Sequence, residues 1–467
     1  MGFFGRSVAF FTASSVDIFY RRRVLRAAMP ATGPVLLVAN HPNGLMDPVV
    51  VMNTVLQTSG RRVRMLAKAP LFTMPGVSVL VKGLDCLPVY RAKDGADTRH
   101  NADTFRAVED ALVAGSCVLI FPEGISHDEP SLQPLKTGAA RMALQSWRKG
   151  AVDVVVVPVG LSYAEKLRFR STAAVEIGAP ISVASFAPSA DPNSALVTSE
   201  NADAAERVAV NDLTAAIFGA LEQLTLNLDR WEDLPVLEAV DAIWRQDDPE
   251  RTRRLKHLAE GTALLRKHDP ERFDEMRDRL SDWLFRLEKL GLRPHDVADG
   301  NVHARRDPVK LAQFVLRNVG AAVFAFPIAL FGAAFWFVPF WAVHLVFLLW
   351  RPDRDVGASV KVLAAMVLFP LWFVAVVVAA GTGAGALAAV VLGLLAPIAG
   401  MSTRHFFRGR FFALQQLGTF LKLGLQGKLM DDLIREREAF CREIDALAAR
   451  VEGFRDLPPD SAVISSS

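Results

Sequence analysis

Cysteine is scarce in this chain. Cys86, Cys117 and Cys441 are the only three in 467 residues, and they lie far apart. An odd, scattered set builds no disulfide framework and no CxxC motif, which points to a reducing compartment for the folded parts. The nine histidines fall in no metal-ligand spacing such as HExxH, so no metal is expected. A strong excess of either charge is missing as well: 53 Lys and Arg against 50 Asp and Glu leave a net +3. That mild balance suits an anionic membrane surface or a phosphorylated substrate and gives no argument for nucleic acid. A secretory leader is not legible, because Val8 to Val16 is short, interrupted by polar residues and followed by no small-residue cleavage pattern.

Apolar residues, by contrast, are plentiful, and they are unevenly placed. Asn318 to Trp350 is an uncharged run of 33 residues with His344 neutral, and Val362 to Thr403 is one of 42. The second run fits two spans of about 20 residues each, with Gly381-Thr-Gly-Ala-Gly385 as the turn. The first is long for one span and short for two, and Pro327 and Pro339 interrupt it. Basic residues flank every run: Arg305, Arg306, Lys310 and Arg317 before, Arg351, Arg354 and Lys361 between, Arg404, Arg408 and Arg410 after. Positive charge at all three places predicts that all three stay on the cytoplasmic side. That makes 318–350 a hairpin or a span and 362–403 a two-span hairpin.

The chain begins with mixed aromatic and basic character: Phe3, Phe4, Phe10, Phe11, Phe19, then Arg21-Arg22-Arg23. Residues 1–30 read as an amphipathic, membrane-associating N-terminus; a helix packed on the following domain is the equal alternative. Residues 31–190 alternate strand and helix patterns, with strands at 34–39, 63–67, 84–90, 117–121, 153–160 and 173–177. Helical patterns lie at 48–58, 102–114 and 136–148. That alternation predicts an α/β domain: a mixed, largely parallel sheet with flanking helices. Ligands of such sheets gather at the C-terminal strand ends, where His41, Arg91, Phe121-Pro-Glu-Gly124 and Tyr163 all fall.

The stretch Pro34 to Pro48 is the focus. Val35 to Ala39 reads as a buried strand, Asn40-His-Pro-Asn-Gly44 as a tight turn, and Val49 to Leu56 as a helix. His41 and Asp47 can meet only if the turn folds the chain back. A carboxylate on one imidazole nitrogen would fix the tautomer and leave the other as a base. No serine or cysteine nucleophile is adjacent in sequence, which favours direct base catalysis over an acyl-enzyme. A strand-end histidine and an N-capping aspartate explain the same residues equally well. Arg91 offers a planar fork for phosphate or simply opens a loop. Glu123 either orders its turn, the favoured role, or binds an acceptor hydroxyl. Leu135-Lys136-Thr-Gly-Ala opens a helix whose amides and lysine suit an anion, or whose small residues permit close packing.

Asn40-His41 with Asp47, Gly83 to Arg91, Phe121-Pro122-Glu123-Gly124 and Val157-Pro158-Val159-Gly160 stand in the order of four motif blocks. In this the chain resembles the glycerolipid acyltransferase superfamily over roughly residues 30–185. The resemblance implies an acyltransferase catalytic domain at 31–190 that moves an acyl chain from an acyl thioester to a glycerol-phosphate hydroxyl. It implies His41 as base and Asp47 as its partner, and Arg91, Lys136 and Lys68 as phosphate-binding residues. Glu123, Gly124 and Ser126 would then form the acceptor-site turn, with Asn40, Pro122, Pro158 and Gly160 as motif support. No cofactor is implied; acyl-CoA or acyl-carrier protein serves as donor substrate. Five residues separate His41 from Asp47, one more than is common in the family. That spacing is similar to fungal-type glycerol-3-phosphate and dihydroxyacetone-phosphate acyltransferases, as are Phe121 to Asp128 and Gly160 to Tyr163. First-step acylation in phospholipid biosynthesis is therefore expected. A 1-acylglycerol-3-phosphate acyltransferase is the alternative, and an idle membrane scaffold or lipid-binding protein the alternative of another class. Amides near Gly44 are one candidate for an oxyanion site.

Residues 191–317 read as a linker and a charged helical region. Asp248-Pro-Glu-Arg and Asp269-Pro-Glu-Arg each look like an N-cap with proline following. Trp283, Leu284, Leu287 and Leu290 form an apolar face that needs the catalytic domain or the bilayer. Residues 404–467 read as an amphipathic helical tail with a disordered end, in which Leu433 to Val451 is packed or self-associating. The expected whole is an integral membrane protein with its catalytic domain on the cytoplasmic face. Its partners would be membrane lipids and the two substrates, with homo-oligomerisation left open and no nucleic acid.

Overall fold

The computed structural model describes residues 3–25, 29–74, 77–90, 101–187, 199–244, 251–290, 308–403 and 427–455, with a few isolated positions between. The chain divides into two compact units, 1–225 with 344–366, and 226–343 with 367–467. Each is described by itself.

The first unit contains α1 (Phe3–Phe19), β1 (Arg21–Leu25), β2 (Val35–Ala39), α2 (Met46–Ser59), β3 (Val63–Lys68), α3 (Val77–Gly83) and β4 (Leu87–Val89). It continues with α4 (Asn101–Val113), β5 (Cys117–Ile120), α5 (Gly138–Arg148), β6 (Val155–Tyr163), β7 (Thr172–Ile177), β8 (Ile181–Ser182) and α6 (Ser199–Leu224). The described strands form one eight-stranded sheet in the order β1-β7-β6-β2-β5-β3-β4, with β8 paired to β6. β2 sits at the centre, parallel to β5 and β6. Only β7 and β8 run antiparallel to their neighbour β6. The sheet is therefore mixed and largely parallel, as the alternating pattern implies.

All five residues of β2 are fully buried, and alternate ones face opposite layers. Val35, Leu37 and Ala39 join a core with α1 and α2, while Leu36 and Val38 join one with α4, α5 and α6. That is why β2 reads as an unbroken apolar run and not as an alternating one. Helix α6 differs from the sequence expectation. Val210, Leu213, Ile217 and Leu221 are buried on the sheet, so this helix belongs to the first unit and not to the 191–317 region. Their spacing of three or four residues is a core stripe.

Of the two readings of the N-terminal segment, the packed helix is the one the structure shows. Val8, Thr12, Val16 and Phe19 lie on one buried face of α1, and burying Val16 and Phe19 stabilises its docking by about 1.5–3 kcal/mol each. Val8 packs where a β-carbon at Gly83 would lie 2.9 Å from its side chain. Arg22 pairs with Asp17 at 2.5 Å and donates to Gln57, so it is not free for lipid. Phe10, Phe11 and Ile18 remain exposed on the other face. The chain then enters the sheet as β1, parallel to β7.

The second unit holds α7 (Leu234–Trp244), α8 (Arg251–His268), α9 (Pro270–Leu290) and the C-terminal helix Gly427–Arg455. Asp269 caps α9, accepting from the Arg272 amide at 3.4 Å, with Pro270 at the first helical position. Trp283, Leu280 and Leu287 are buried against Leu433, Phe440 and Ile444. The apolar face of α9 is therefore covered by the C-terminal helix, a partner the sequence reading did not consider.

Between these run α10 (Pro308–Trp350) and α11 (Arg354–Ala384), followed by α12 (Ala386–Thr403). Three stretches, 325–350, 354–384 and 386–403, are long and apolar enough to cross a membrane. The two-span hairpin has its turn at Gly385, with φ +93°. The 318–350 hairpin does not form: α10 runs through Pro327 and Pro339 as one helix. Proline at 339 removes the N–H that would bond the Phe335 carbonyl. The Trp372 indole supplies the missing donor at 2.8 Å, which is how an apolar bundle tolerates the break. Arg305, Arg306, Arg404, Arg408 and Arg410 lie outside the described residues.

Candidate active site

Three parallel strands end on one edge of the sheet, and each delivers a part of the site. β2 ends at Asn40-His41, β5 at the Phe121–Ser126 turn, and β6 at Tyr163. Asn40 clips two of these ends together. Its side chain donates to the Leu161 carbonyl at 3.0 Å and accepts from the Leu161 amide at 2.7 Å.

The turn folds back as required. The Nδ1 of His41 lies 2.9 Å from the Oδ2 of Asp47. A carboxylate can only accept, so Nδ1 carries the proton and Nε2 is left as the basic nitrogen. The His41 side chain is 19% exposed and that of Asp47 not at all, so the imidazole can be reached and its partner cannot. Asp47 also accepts from the Asn43 amide at 2.6 Å in the first turn of α2. The base-positioning reading is the one the geometry realises: α2 has Leu45 at its N-cap without a side-chain cap, and Asp47 closes the turn before the helix instead of capping it. The imidazole is stacked on Phe121, centroids 4.0 Å apart and planes 14° apart. Among the described residues, no serine or cysteine is hydrogen-bonded to it.

A second set of residues holds the acid. The Tyr163 hydroxyl donates to Oδ1 of Asp47 at 2.6 Å. Tyr20 packs against Tyr163 at 5.1 Å, accepts from the Asn43 side chain at 2.8 Å and donates to the Lys166 carbonyl. Burial, and then the Asp47 charge, push the Tyr163 phenol well above its ordinary value. Tyr20 is raised too, mainly by burial. Both stay protonated, so Tyr163 is a permanent donor to Asp47. Sequence reasoning placed Tyr163 at a strand end without a role and missed Tyr20, Asn43 and Phe121. A signal was available: the chain has only three tyrosines, and two of them meet here.

Glu123 is a fastener. It is buried and accepts from the His41 amide at 2.8 Å, from the Gln133 amide at 2.9 Å and from the His127 ring. It ties the β5 turn to the catalytic turn, the structural role favoured from sequence. Gly124, at φ +76°, lies under Lys136, where a β-carbon would stand 2.7 Å from Nζ. The Lys136 amide donates to the Pro122 carbonyl at 2.9 Å. The lysine is thus brought to the same turn. The Ser126 hydroxyl, expected in the acceptor turn, donates instead to Asp355 at 2.6 Å. Lys68 ends β3, two strands from β2, and is exposed. Arg91 lies outside the described residues.

Pro158 and Gly160 support the site from within β6. Pro158 falls between the stretch paired with β8 and the stretch paired with β7, where no ladder donor is required of it on that side. A β-carbon at Gly160 would overlap the Leu224 carbonyl at the end of α6. The amides near Gly44 are largely taken: Leu45 donates to Ser359 at 3.1 Å and Met46 to the Asn43 carbonyl at 3.0 Å. Neither of these two amides is left for an oxyanion.

The family model described as Acyltransferase matches residues 22–162. An uncharacterized acyltransferase of Schizosaccharomyces pombe is 26% identical, covering 60% of this chain and 53% of that protein. Glycerol-3-phosphate O-acyltransferase 2 of Saccharomyces cerevisiae is 29% identical, covering 60% of this chain and 38% of its own length. Glycerol-3-phosphate O-acyltransferase 1 of the same yeast is 34% identical over 30% of this chain and 17% of its own. The crystal structure of a 1-acyl-sn-glycerophosphate acyltransferase from Thermotoga maritima is similar with a TM-score of 0.30 at 18% identity, covering 45% of this chain and 80% of that one. The chain spans about half, or less, of the length of the curated relatives it matches.

Proposed function

We propose that residues 22–162, which the family model described as Acyltransferase matches, act as a glycerolipid acyltransferase domain, and that this protein acylates a glycerol-phosphate hydroxyl at a membrane surface. The observation that carries the reading is the His41–Asp47 pair, with Nε2 left open beside the Glu123-Gly124 turn and Lys136. His41 takes the proton from the acceptor hydroxyl as its oxygen attacks the thioester carbonyl. The carbonyl re-forms as the thiolate leaves, and the imidazolium returns the proton to it. Asp47 stabilises the imidazolium throughout. Lys136, with Arg91 and Lys68, supplies charge for the acceptor phosphate. The donor brings its own activated acyl group as acyl-CoA or acyl-carrier protein, so no cofactor enters.

Glycerol-3-phosphate is the proposed acceptor, supported by the His41-to-Asp47 spacing and by the printed names of the two yeast relatives. The three apolar helices and the basic flanks support a membrane protein whose catalytic unit faces the cytoplasm. The test is a panel of labelled glycerol-3-phosphate, dihydroxyacetone phosphate and lysophosphatidate, offered to membranes with acyl-CoA or acyl-carrier protein. Transfer to glycerol-3-phosphate that His41→Ala abolishes is expected. No transfer to any of the three acceptors would end the enzyme reading.

A further inference from the structure

The helix α11 is longer than a span needs. Its 31 residues rise about 46 Å at 1.5 Å each, against a hydrocarbon core of about 30 Å. The surplus is its first turns, and they are docked on the catalytic turn. Ser359, 3% exposed, accepts from the Leu45 amide at 3.1 Å. One helical turn earlier, Asp355 accepts from the Ser126 hydroxyl at 2.6 Å. Gly44 lies beneath both: it sits at φ +50°, and a β-carbon there would be 2.9 Å from the Asp355 carbonyl and 3.3 Å from the Ser359 hydroxyl. Ala358 and Val362 are buried in the same core as Val49 and Val50. Lys361 donates to the Leu167 carbonyl at 3.0 Å and lies over the Phe347 ring.

We propose that Asp355 and Ser359 are positioning residues of the active site, clamping its two loops to the foot of a membrane span. The inference rests on the acyltransferase reading and goes beyond it. The geometry divides the work. Glu123 ties the His41 backbone to the β5 turn from one side. Ser359 and Asp355 hold the same two turns, through Leu45 and Ser126, from the other. Leu45 is two residues before Asp47, so a fixed Leu45 amide fixes the first turn of α2 and the carboxylate that orients His41. Neither residue touches the imidazole; they act through the backbone.

The test uses the full chain in lipid nanodiscs, with Ser359→Ala, Ser359→Thr, Asp355→Ala and the parent. Hydrogen exchange over 42–47 is read by mass spectrometry, and kcat and KM with acyl-CoA and glycerol-3-phosphate are read beside it. Removing one hydrogen bond is expected to speed Leu45 exchange about tenfold and lower kcat by a similar factor, with both KM values within twofold. Ser359→Thr, which keeps the hydroxyl, is expected to restore slow exchange and at least half of the rate. Parent-like exchange and kcat in both Ser359→Ala and Asp355→Ala would overturn the inference. So would a loss confined to KM, or a general rise in exchange across the sheet. An inactive parent would refute the acyltransferase reading, while the exchange comparison would still decide whether the clamp exists.

Discussion

Replacing Asp47 with asparagine tests the site most directly, because the side chain keeps its shape and loses its charge. In the parent, Oδ2 takes the His41 Nδ1–H at 2.9 Å and the Asn43 amide at 2.6 Å, and Oδ1 takes the Tyr163 hydroxyl at 2.6 Å. Two of these three donors share one oxygen. An asparagine oxygen must therefore occupy that place, with the amide nitrogen toward Tyr163, whose hydroxyl can rotate to accept. The fold has a way to survive, and His41 keeps its tautomer. The imidazolium loses its buried anion. Hydrogen bonds to a charged group are worth about 1.5–3 kcal/mol against about 0.5–1.5 for neutral ones. The folded state should lose roughly 1–3 kcal/mol, or several degrees in Tm. The transition state should lose more, because charge develops on His41 only there. An upper bound is the roughly 10⁴-fold loss for the equivalent change in a Ser-His-Asp triad. We expect kcat for acyl transfer to fall about 10²–10⁴-fold with KM for glycerol-3-phosphate within threefold, measured by labelled product in nanodiscs. A kcat within threefold of the parent, in protein that melts normally, would refute the role of the pair.

Removing the phenol in Tyr163→Phe should lower kcat about 3–30-fold with little change in Tm below neutral pH. Raised phenols also set an alkaline limit. Their stabilising protonation is complete below the ordinary tyrosine value of 10.0 and is lost as pH climbs toward the folded values. Parent protein should therefore lose stability above about pH 10, and Tyr163→Phe should lose less; equal pH slopes would contradict this. Gly160→Ala should destabilise the catalytic unit by about 1–3 kcal/mol by driving its methyl into the Leu224 carbonyl, seen as a lower melting temperature. Trp372→Phe should cost about 1–2 kcal/mol in the parent but little in a Pro339→Ala background, where Phe335 recovers its own N–H; additive effects would rule out the pairing. The Cys86 and Cys117 thiols, both pushed up to about 12 mainly by burial, should label at pH 8 about 10³-fold slower than in the unfolded chain, read by quenched alkylation.

Much of the catalytic half was legible because its signals are local. Val35 to Ala39 is an unbroken apolar run because helices cover both of its faces, and Asn40 to Gly44 is a turn by its own chemistry. The alternation of strand and helix gave the parallel sheet, and the parallel sheet gathered His41, Glu123 and Tyr163 on one edge. What escaped depends on partners far away in the chain. Tyr20 meets Asn43 only because α1 packs on the sheet. Ser359 reaches Leu45 across 314 positions, and nothing in either local sequence marks the other. Of the two readings of 318–350, the hairpin fails for the same reason. Pro339 looks like a helix breaker until Trp372 supplies the donor. Helix α6 was assigned to the following region because a linker-like stretch rich in Ala, Ser, Pro, Asn and Asp precedes it, although Val210, Leu213, Ile217 and Leu221 form a core stripe.

Strand β1 has a consequence in time. It pairs with β7, whose first residue, Thr172, comes 147 positions after Leu25 (172 − 25). At roughly 5–20 residues per second, the ribosome needs on the order of 10–30 s to make that partner. Until then β1 has no partner strand, and Phe19, which packs on Phe169, is as open as Phe10 and Phe11, while Val8 meets Gly83 earlier. A nascent helix with aromatics on every side is a ligand for whatever apolar surface is nearest. The segment that ends as an edge of the sheet waits longer for its partner than any other described strand.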